Sequence, residues 1–390
     1  MAVFHRKLSS PFRRRSNEAR ACLGSLERRV VALNVDIEGE RVSRLVRAVV
    51  VLALAATAAP ALGGAAVAAT THHHFYVPTS VTVGDYHVWV TNNANNSVTE
   101  LNTSNGAVVR VINARADDLL NPGHVVVADQ RVWILNVRPG SKHHPASYWI
   151  TELNAASGSL IRVLRARRGD FVGFAGIAAD GSRVWVSNEN NTLSELSATT
   201  GALIRVVSAR DARLDGPIAV ALADHHVWVA NNSGNSVTEL SAVNAKAVRV
   251  ISGPHDGFFG PNAIAVAGGS LWVASGGVQQ NGPAGAVSQV STSSGRVLRV
   301  VRAGADGLKT PLGLAIGGGH VWIANLSGDS VTELNSKSGA LVRVLSSRRD
   351  GFNAPCAVTV SRYDVWIANM GANTVTELNA KTGALVRVIS

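Results

Sequence analysis

Cysteine is almost absent from this 390-residue chain. Its two cysteines, Cys22 and Cys356, lie far apart, which excludes a disulfide framework and leaves the compartment undecided on that ground. A sustained helical period is missing after residue 75, so the bulk of the chain is not a helical bundle. Several catalytic signatures are missing too. No HExxH or HxxxH spacing, G-x-S-x-G elbow, phosphate-cradling glycine loop or continuous calcium loop occurs. The basic excess is poorly spread. Net charge is +11, but residues 1–48 hold eleven Lys/Arg against five Asp/Glu, which leaves only +5 for everything else. The isoelectric point therefore gives no warrant for a nucleic-acid partner, and none is expected.

What is present divides into a leader and an array. Residues 1–43 form a basic preamble, expected to be disordered or to precede the true translation start. Residues 44–70 follow with Arg44 and Arg47, the apolar run "VVVLALAATAA" and the small residues "AVAAT". This is the pattern of a secretion signal cleaved near Ala69, or of an uncleaved anchor; Pro60 and two glycines weaken a full span. Both readings place the remainder outside the cytoplasm, secreted, at the cell surface or in a periplasm. Membrane attachment is expected only through an uncleaved leader. Residues 71–78 are assigned to a linker.

From residue 79 to 390 the chain repeats itself seven times. A Val-Trp or Leu-Trp anchor recurs at Trp89, Trp133, Trp185, Trp228, Trp272, Trp322 and Trp366, at spacings of 44, 52, 43, 44, 50 and 44 residues. Each unit holds four short β-rich runs bounded by Gly, Asn or Asp; in the last they are "CAVTV", "DVWIAN", "TVTELN" and "ALVRVI". Four strands per repeat of 40–50 residues predict an all-β, seven-bladed β-propeller of four-stranded antiparallel blades. We label the strands A to D outward from the axis. The first unit begins with a full strand A, "TSVTV" (79–83), and the last ends with a full strand D, so closure without strand exchange is expected.

Length variation is confined to one place. The interval from Arg to the next Trp is always 23 residues and that from Glu to Arg always ten, whereas Trp to Glu takes 11, 19, 10, 11, 17, 11 and 11. The B–C loops alone therefore vary, and they share a face with the D–A connections. That face is the expected ligand face.

The Glu of each unit (Glu100, Glu152, Glu195, Glu239, Glu333, Glu377, with Gln289 in the fifth) stands ten residues before an Arg (Arg110, Arg162, Arg205, Arg249, Arg299, Arg343, Arg387). A hairpin folded about the midpoint sets each pair opposite, contributing about 0.2–1 kcal/mol and discouraging edge pairing of strand D. Gly four before the Arg, Ala245 in the fourth unit, fits a turn needing positive φ. Arg299 is expected to find a weaker partner. A ring of charges that binds a ligand is the competing reading, but sevenfold repetition favours structure. The tryptophans read as inter-blade core rather than an aromatic platform. The Asn three residues after each Trp, Ser275 in the fifth unit, reads as an acceptor of local backbone hydrogen bonds.

Asymmetry is where function is sought. Blade two inserts "VRPGSKHHPASYW", contributing Arg138, Lys142, His143, His144, Tyr148 and Trp149. Blade five inserts the neutral "GGVQQNGPAGA", with Gln279 and Gln280. A cleft between the two insertions is one expectation. Asp117, Asp256, Asp306 and Asp350 recur seven residues after the repeat Arg, as turn residues or as a cation-collecting ring at the channel mouth. His72, His73 and His74 are adjacent at the expected mature N-terminus, and Cys356 reads as a small buried hydrophobe.

"VWVTNNANNSVTELNTSNGAVVRVI" and "VWIANMGANTVTELNAKTGALVRVI" resemble bacterial YVTN-type β-propeller repeats over roughly residues 76–390. The repeat style is also similar to that of the streptogramin B (virginiamycin B) lyase group. That resemblance implies a seven-bladed propeller and metal-assisted elimination that opens a cyclic lactone peptide, using His and Glu near the top of the channel. Its catalytic residues do not map onto this chain one by one. Two functional expectations follow. One is an exported, non-catalytic, monomeric scaffold without a cofactor that binds a protein, peptide, glycan or small molecule on the loop face. The other is a lyase- or lactonase-like enzyme that uses a divalent cation with His143, His144 and the D–A aspartates.

Overall fold

The computed structural model describes residues 74–390 except 114–118, 166–170, 254, 278–284, 303, 305–306 and 347. The leader readings on residues 1–70 lie outside the described residues. Seven four-stranded antiparallel sheets follow one another in chain order, each built from four consecutive strands. In blade one these are Pro78–Gly84, His87–Asn92, Ser97–Asn102 and Val108–Asn113; in blade seven they are Pro355–Val360, Asp364–Asn369, Thr374–Asn379 and Leu385–Ile389. The strands A pack side by side in a ring, and the strand A of blade seven meets that of blade one. No strand is exchanged between these two blades.

The sheet faces explain the ring. Each Trp is at most 1% exposed and anchors one of seven apolar clusters, each lying between its own blade and the next. Trp89 packs with Leu119, Val125, Val132 and Ile134 of blade two, and Trp366 closes the ring against Val81, Val88 and Val90 of blade one. Burying one indole removes on the order of 200 Å² from water, a gross gain of about 5 kcal/mol.

A second apolar position recurs three residues before each strand A: Phe75, Leu119, Phe171, Leu214, Phe258, Leu308 and Phe352, all buried. These side chains cap the inter-blade clusters from the loop face. Phe75 does so from the 71–78 segment, and the His74 carbonyl accepts a hydrogen bond from Thr99 Oγ1 at 2.8 Å. Residues 74–77 thus do for blade one what a D–A connection does elsewhere; they add no strand.

Candidate functional site

The repeated acids lie neither at the axis nor at the surface. Glu100 of strand C pairs across the sheet with Trp89 of strand B and Arg110 of strand D, and the same register recurs around the ring. The six glutamates are at most 2% exposed. The Arg Nε lies 2.5–2.8 Å from Oε2 of its Glu in all six blades that carry one. In five of the six the other carboxylate oxygen has a second partner two residues before the Trp: His87, Arg131, Arg183, His226 or His320. Burial pushes the carboxyls of Glu100, Glu239 and Glu333 up, against the opposing pull of their Arg and His partners.

Each arginine also reaches the next blade. Arg110 donates to the Ala156 carbonyl at 3.1 Å, Arg162 to Thr199 at 3.0 Å, and Arg249 to Ser293 at 3.3 Å. These acceptors sit in C–D turns whose glycine, at positive φ, lies beneath the arginine. Each pair thus joins a buried Glu to an Arg about a third exposed, which ties its strand D to the next blade. Exposed side chains of strand D include Leu341, Val342, Leu385 and Val386. In blade five Gln289 donates instead to Ser270 Oγ and to the Ser336 carbonyl, and Arg299 Nε has no acceptor among the described residues.

The strand-B asparagines accept and donate: Oδ1 of Asn136 and of Asn231 accepts the backbone amides of Leu120 and Asp215, as expected, and the Nδ2 groups donate as well. Asn92, Asn231, Asn325 and Asn369 each give Nδ2 to two hydroxyls of strand C, such as Ser97 and Thr99. Strand-C hydroxyls in turn hold the D–A connections: Thr376 Oγ1 donates to the Asp350 carbonyl at 2.7 Å, and Ser288 Oγ of blade five to that of Asp256 at 2.5 Å. Asp256 and Asp350 consequently lie above strand C, over the outer half of the blade, not at the channel mouth. Asp117 and Asp306 lie outside the described residues, as do Gln279 and Gln280 and with them the proposed cleft wall.

The blade-two insertion lengthens both strands of the hairpin as well as its loop. Its strands B and C run Arg131–Arg138 and Ser147–Asn154. Trp149 belongs to strand C at 1% exposure, beneath the guanidinium groups of Arg138 and Arg165 at 5.8 and 5.5 Å. It therefore offers no surface to a ligand. Tyr148 is half-buried, edge-on to Phe174 with ring centres 5.5 Å apart. Burial and the Glu189 charge push its hydroxyl pKa up. Arg138, Lys142, His143 and His144 are exposed at the tip, where Ser141 Oγ accepts both histidine amides.

The inner strands are nearly free of titratable groups. Across all seven strands A the only ones are His124 and Cys356. Cys356 Sγ packs 3.2 Å from the Pro78 carbonyl, and burial pushes its thiol up to about 12, which removes it as a nucleophile at neutral pH. His124 escaped the motif-based reading. It occupies the third position of strand A, where the other blades carry Ser80, Gly176, Ala219, Ala263, Gly313 and Ala357. Desolvation within the ring of inner strands holds its imidazole below the usual histidine range, hence neutral at pH 7. Among the described residues no three His, Cys, Asp or Glu converge as a metal set.

No family model matches the chain, and no curated protein matches it. Solved structures do. Hydrazine synthase of Kuenenia stuttgartiensis aligns over 82% of this chain and 99% of its own, with a TM-score of 0.63 at 14% identity. The computationally designed Ika8 protein aligns over 79% of this chain and 98% of its own, with a TM-score of 0.55 at 13% identity. At these identities the likeness is one of fold, and this chain is similar to both as a β-propeller.

Proposed function

We propose that the chain is an exported, non-catalytic, monomeric propeller that binds a partner on the face made by the B–C and D–A loops. One observation carries the reading: the repeated Glu–Arg pairs are taken up in links between outer strands, while the exposed asymmetry among the described residues is at the tip of blade two. That tip is a two-stranded hairpin with Arg138, Lys142, His143 and His144 on a rigid base. It suits recognition of a polar protein, peptide or glycan surface, since binding residues favour loops held by a rigid scaffold. The kinship of the repeats with the YVTN type belongs to this proposal and rests on their wording. The lyase-like alternative would need His143 and His144 to meet the D–A aspartates. Asp256 and Asp350 stand over the outer halves of other blades, so the placement favours the scaffold.

The test replaces residues 139–146 by a two-residue turn and compares both proteins on peptide and glycan arrays. Unchanged thermal unfolding with lost binding supports the reading. Full binding by the shortened protein, or opening of a cyclic lactone substrate by the intact one, overturns it. Export is tested by the intact mass of the protein recovered outside the cytoplasm, which is expected to begin near residue 70.

A further inference from the structure

Blades four and five show, at the inner end of the loop face, a contact that blades one and two leave incomplete. Asn232, the first residue after strand B of blade four, donates Nδ2 to Oδ1 of Asn262 at 2.9 Å and to the Pro261 carbonyl at 3.3 Å. Asn262 is the second residue of the next strand A. Here a carboxamide carbonyl from one blade satisfies a buried carboxamide donor from its neighbour. Asn93 holds the place of Asn232 in blade one: both follow strand B, and both backbone amides bond to the residue before their own strand A. The place of Asn262 in blade two is held by Gly123, the second residue of Pro122–Ala128.

Three features then coincide. Asn93 is 1% exposed, and its Nδ2 has no hydrogen-bond partner among the described residues. A β-carbon added to Gly123 would meet nothing within 4 Å, so blade two has no side chain in the place that Asn262 takes in blade five and has room to grow one. The next residue is His124, the one imidazole on the inner strands, and no hydrogen bond is found for it among the described residues. The Pro122 carbonyl, counterpart of the Pro261 carbonyl, is taken by Thr79 Oγ1 at 3.2 Å, and Thr79 and Thr91 both reach the Gly123 carbonyl at 3.0 Å. A buried donor without an acceptor costs about 1–3 kcal/mol, and that cost is recovered when a ligand supplies the acceptor.

We propose that Asn93, Gly123 and His124 form a subsite for the uncharged carboxamide of a small ligand, its carbonyl accepting from Asn93 Nδ2 as Asn262 does from Asn232. The chemical class follows from the molecule's own filling of the equivalent space and from the lack of charge on the inner strands. A neutral imidazole supplies one further donor or acceptor to the amide or to an adjacent hydroxyl. The subsite rests on the loop-face reading and makes it more specific, because it lies at the axial end of the same face. The carboxamide could belong to an N-acetylated sugar or to a peptide.

The experiment is calorimetric titration of the full mature protein with N-acetylglucosamine and, separately, N-acetylglycinamide, with glucosamine as a cationic control. Gly123 is not at positive φ, so Gly123→Asn is compatible with the backbone and rebuilds the Asn232–Asn262 contact. We expect at least one amide probe to bind, glucosamine to bind tenfold or more weakly, and Gly123→Asn to weaken the amide probe tenfold or more while its unfolding temperature holds or rises. Asn93→Ala is expected to weaken the same probe without that gain in stability. Whichever acetamide binds more tightly identifies the source. Absence of binding by both amide probes overturns the subsite, as does equal binding by Gly123→Asn. If the probe survives Gly123→Asn but is lost on shortening the blade-two hairpin, the subsite falls and the loop-face reading stands.

Discussion

Arg387, in the last strand of the chain, lies over Gly106, in the first C–D turn. A β-carbon at Gly106 would sit 2.7 Å from Arg387 Cδ, and the glycine is at φ 66°. Two penalties therefore act on one substitution, a left-handed backbone and displacement of the arginine that closes the ring. Gly106→Ala should cost about 2 kcal/mol. The converse site exists: Ala245 holds the same turn at φ 59°, and the arginine over it, Arg205, makes a long 3.4 Å bond to the Val243 carbonyl. Ala245→Gly should add about 1 kcal/mol. Urea unfolding of both variants checks the signs. A neutral Gly106→Ala would mean that the arginine does not need the turn.

Blade seven lacks the strand-B partner that the other five carboxylates have. Asp364 stands where other blades have His, Arg or Ser, and Glu377 is pushed up to about 7 by burial, opposed by Arg387 and aided by the Asp364 charge. An unfolded glutamate titrates near 4.5. Between these values the folded state holds a proton that the unfolded state has released. Stability is thus greatest on the acid side and is lost as pH rises through 7, by at most about 3 kcal/mol. Asp364→Arg, which copies Arg131 and Arg183 of blades two and three, should flatten that part of the profile and stabilise the protein at pH 8. Parallel profiles for the two proteins between pH 5 and 8 would rule out the carboxylate pair as the cause.

The blade strands were legible because sevenfold repetition averages out local exceptions: "DVWIAN" and "TVTELN" are strands at those very residues. The facing of Glu and Arg followed from hairpin arithmetic. The second partner that five of the glutamates have did not, since it sits diagonally across the B–C pair and only the register reveals it. Trp149 was misplaced for a related reason. Extra residues between Trp133 and Glu152 were counted as loop, but half of them lengthen two strands, and Trp149 lies within one of those strands. His124 was overlooked because the search favoured recurring residues. Its signal was an exception at a position otherwise held by Ser, Gly or Ala.

Blade six tests whether the carboxylate of Glu333 and its two partners are worth their burial. Glu333 takes Arg343 Nε at 2.7 Å and His320 Nδ1 at 2.7 Å. Glu333→Gln removes the charge both partners face and should cost about 2 kcal/mol, below the usual 3–5 for a broken buried pair because Arg343 is 31% exposed. Adding His320→Ser recreates the blade-five set of Ser270, Gln289 and Arg299, in which Gln289 Nε2 donates to Ser270 Oγ at 2.9 Å. The double variant should recover about 1 kcal/mol relative to the single one. A double-mutant cycle by urea unfolding reads this coupling, and strict additivity would show that the strand-B partner is a bystander.

The loop face carries its own closing stitch. Val77 donates its amide to Asn373 Oδ1 at 2.7 Å, joining the B–C turn of blade seven to the start of blade one. The same bond recurs from Asn121 to Asn96, Gly216 to Asn191, Gly260 to Asn235 and Ala354 to Asp329. The acceptor residues all sit at positive φ, where Asn and Asp are the side-chain-bearing residues best tolerated. Asn373→Ala loses the bond and worsens the backbone, so it should cost about 2 kcal/mol, whereas Asn373→Gly loses only the bond and should cost about 1. Asn373→Asp keeps the acceptor, as Asp329 does, and should be near neutral. Because Asn373 and Val77 are 296 residues apart, Asn373→Ala should also raise hydrogen exchange at the Val77 amide more than at Gly216 or Gly260. Uniform exchange at all three amides would show that this junction is no weaker than the others.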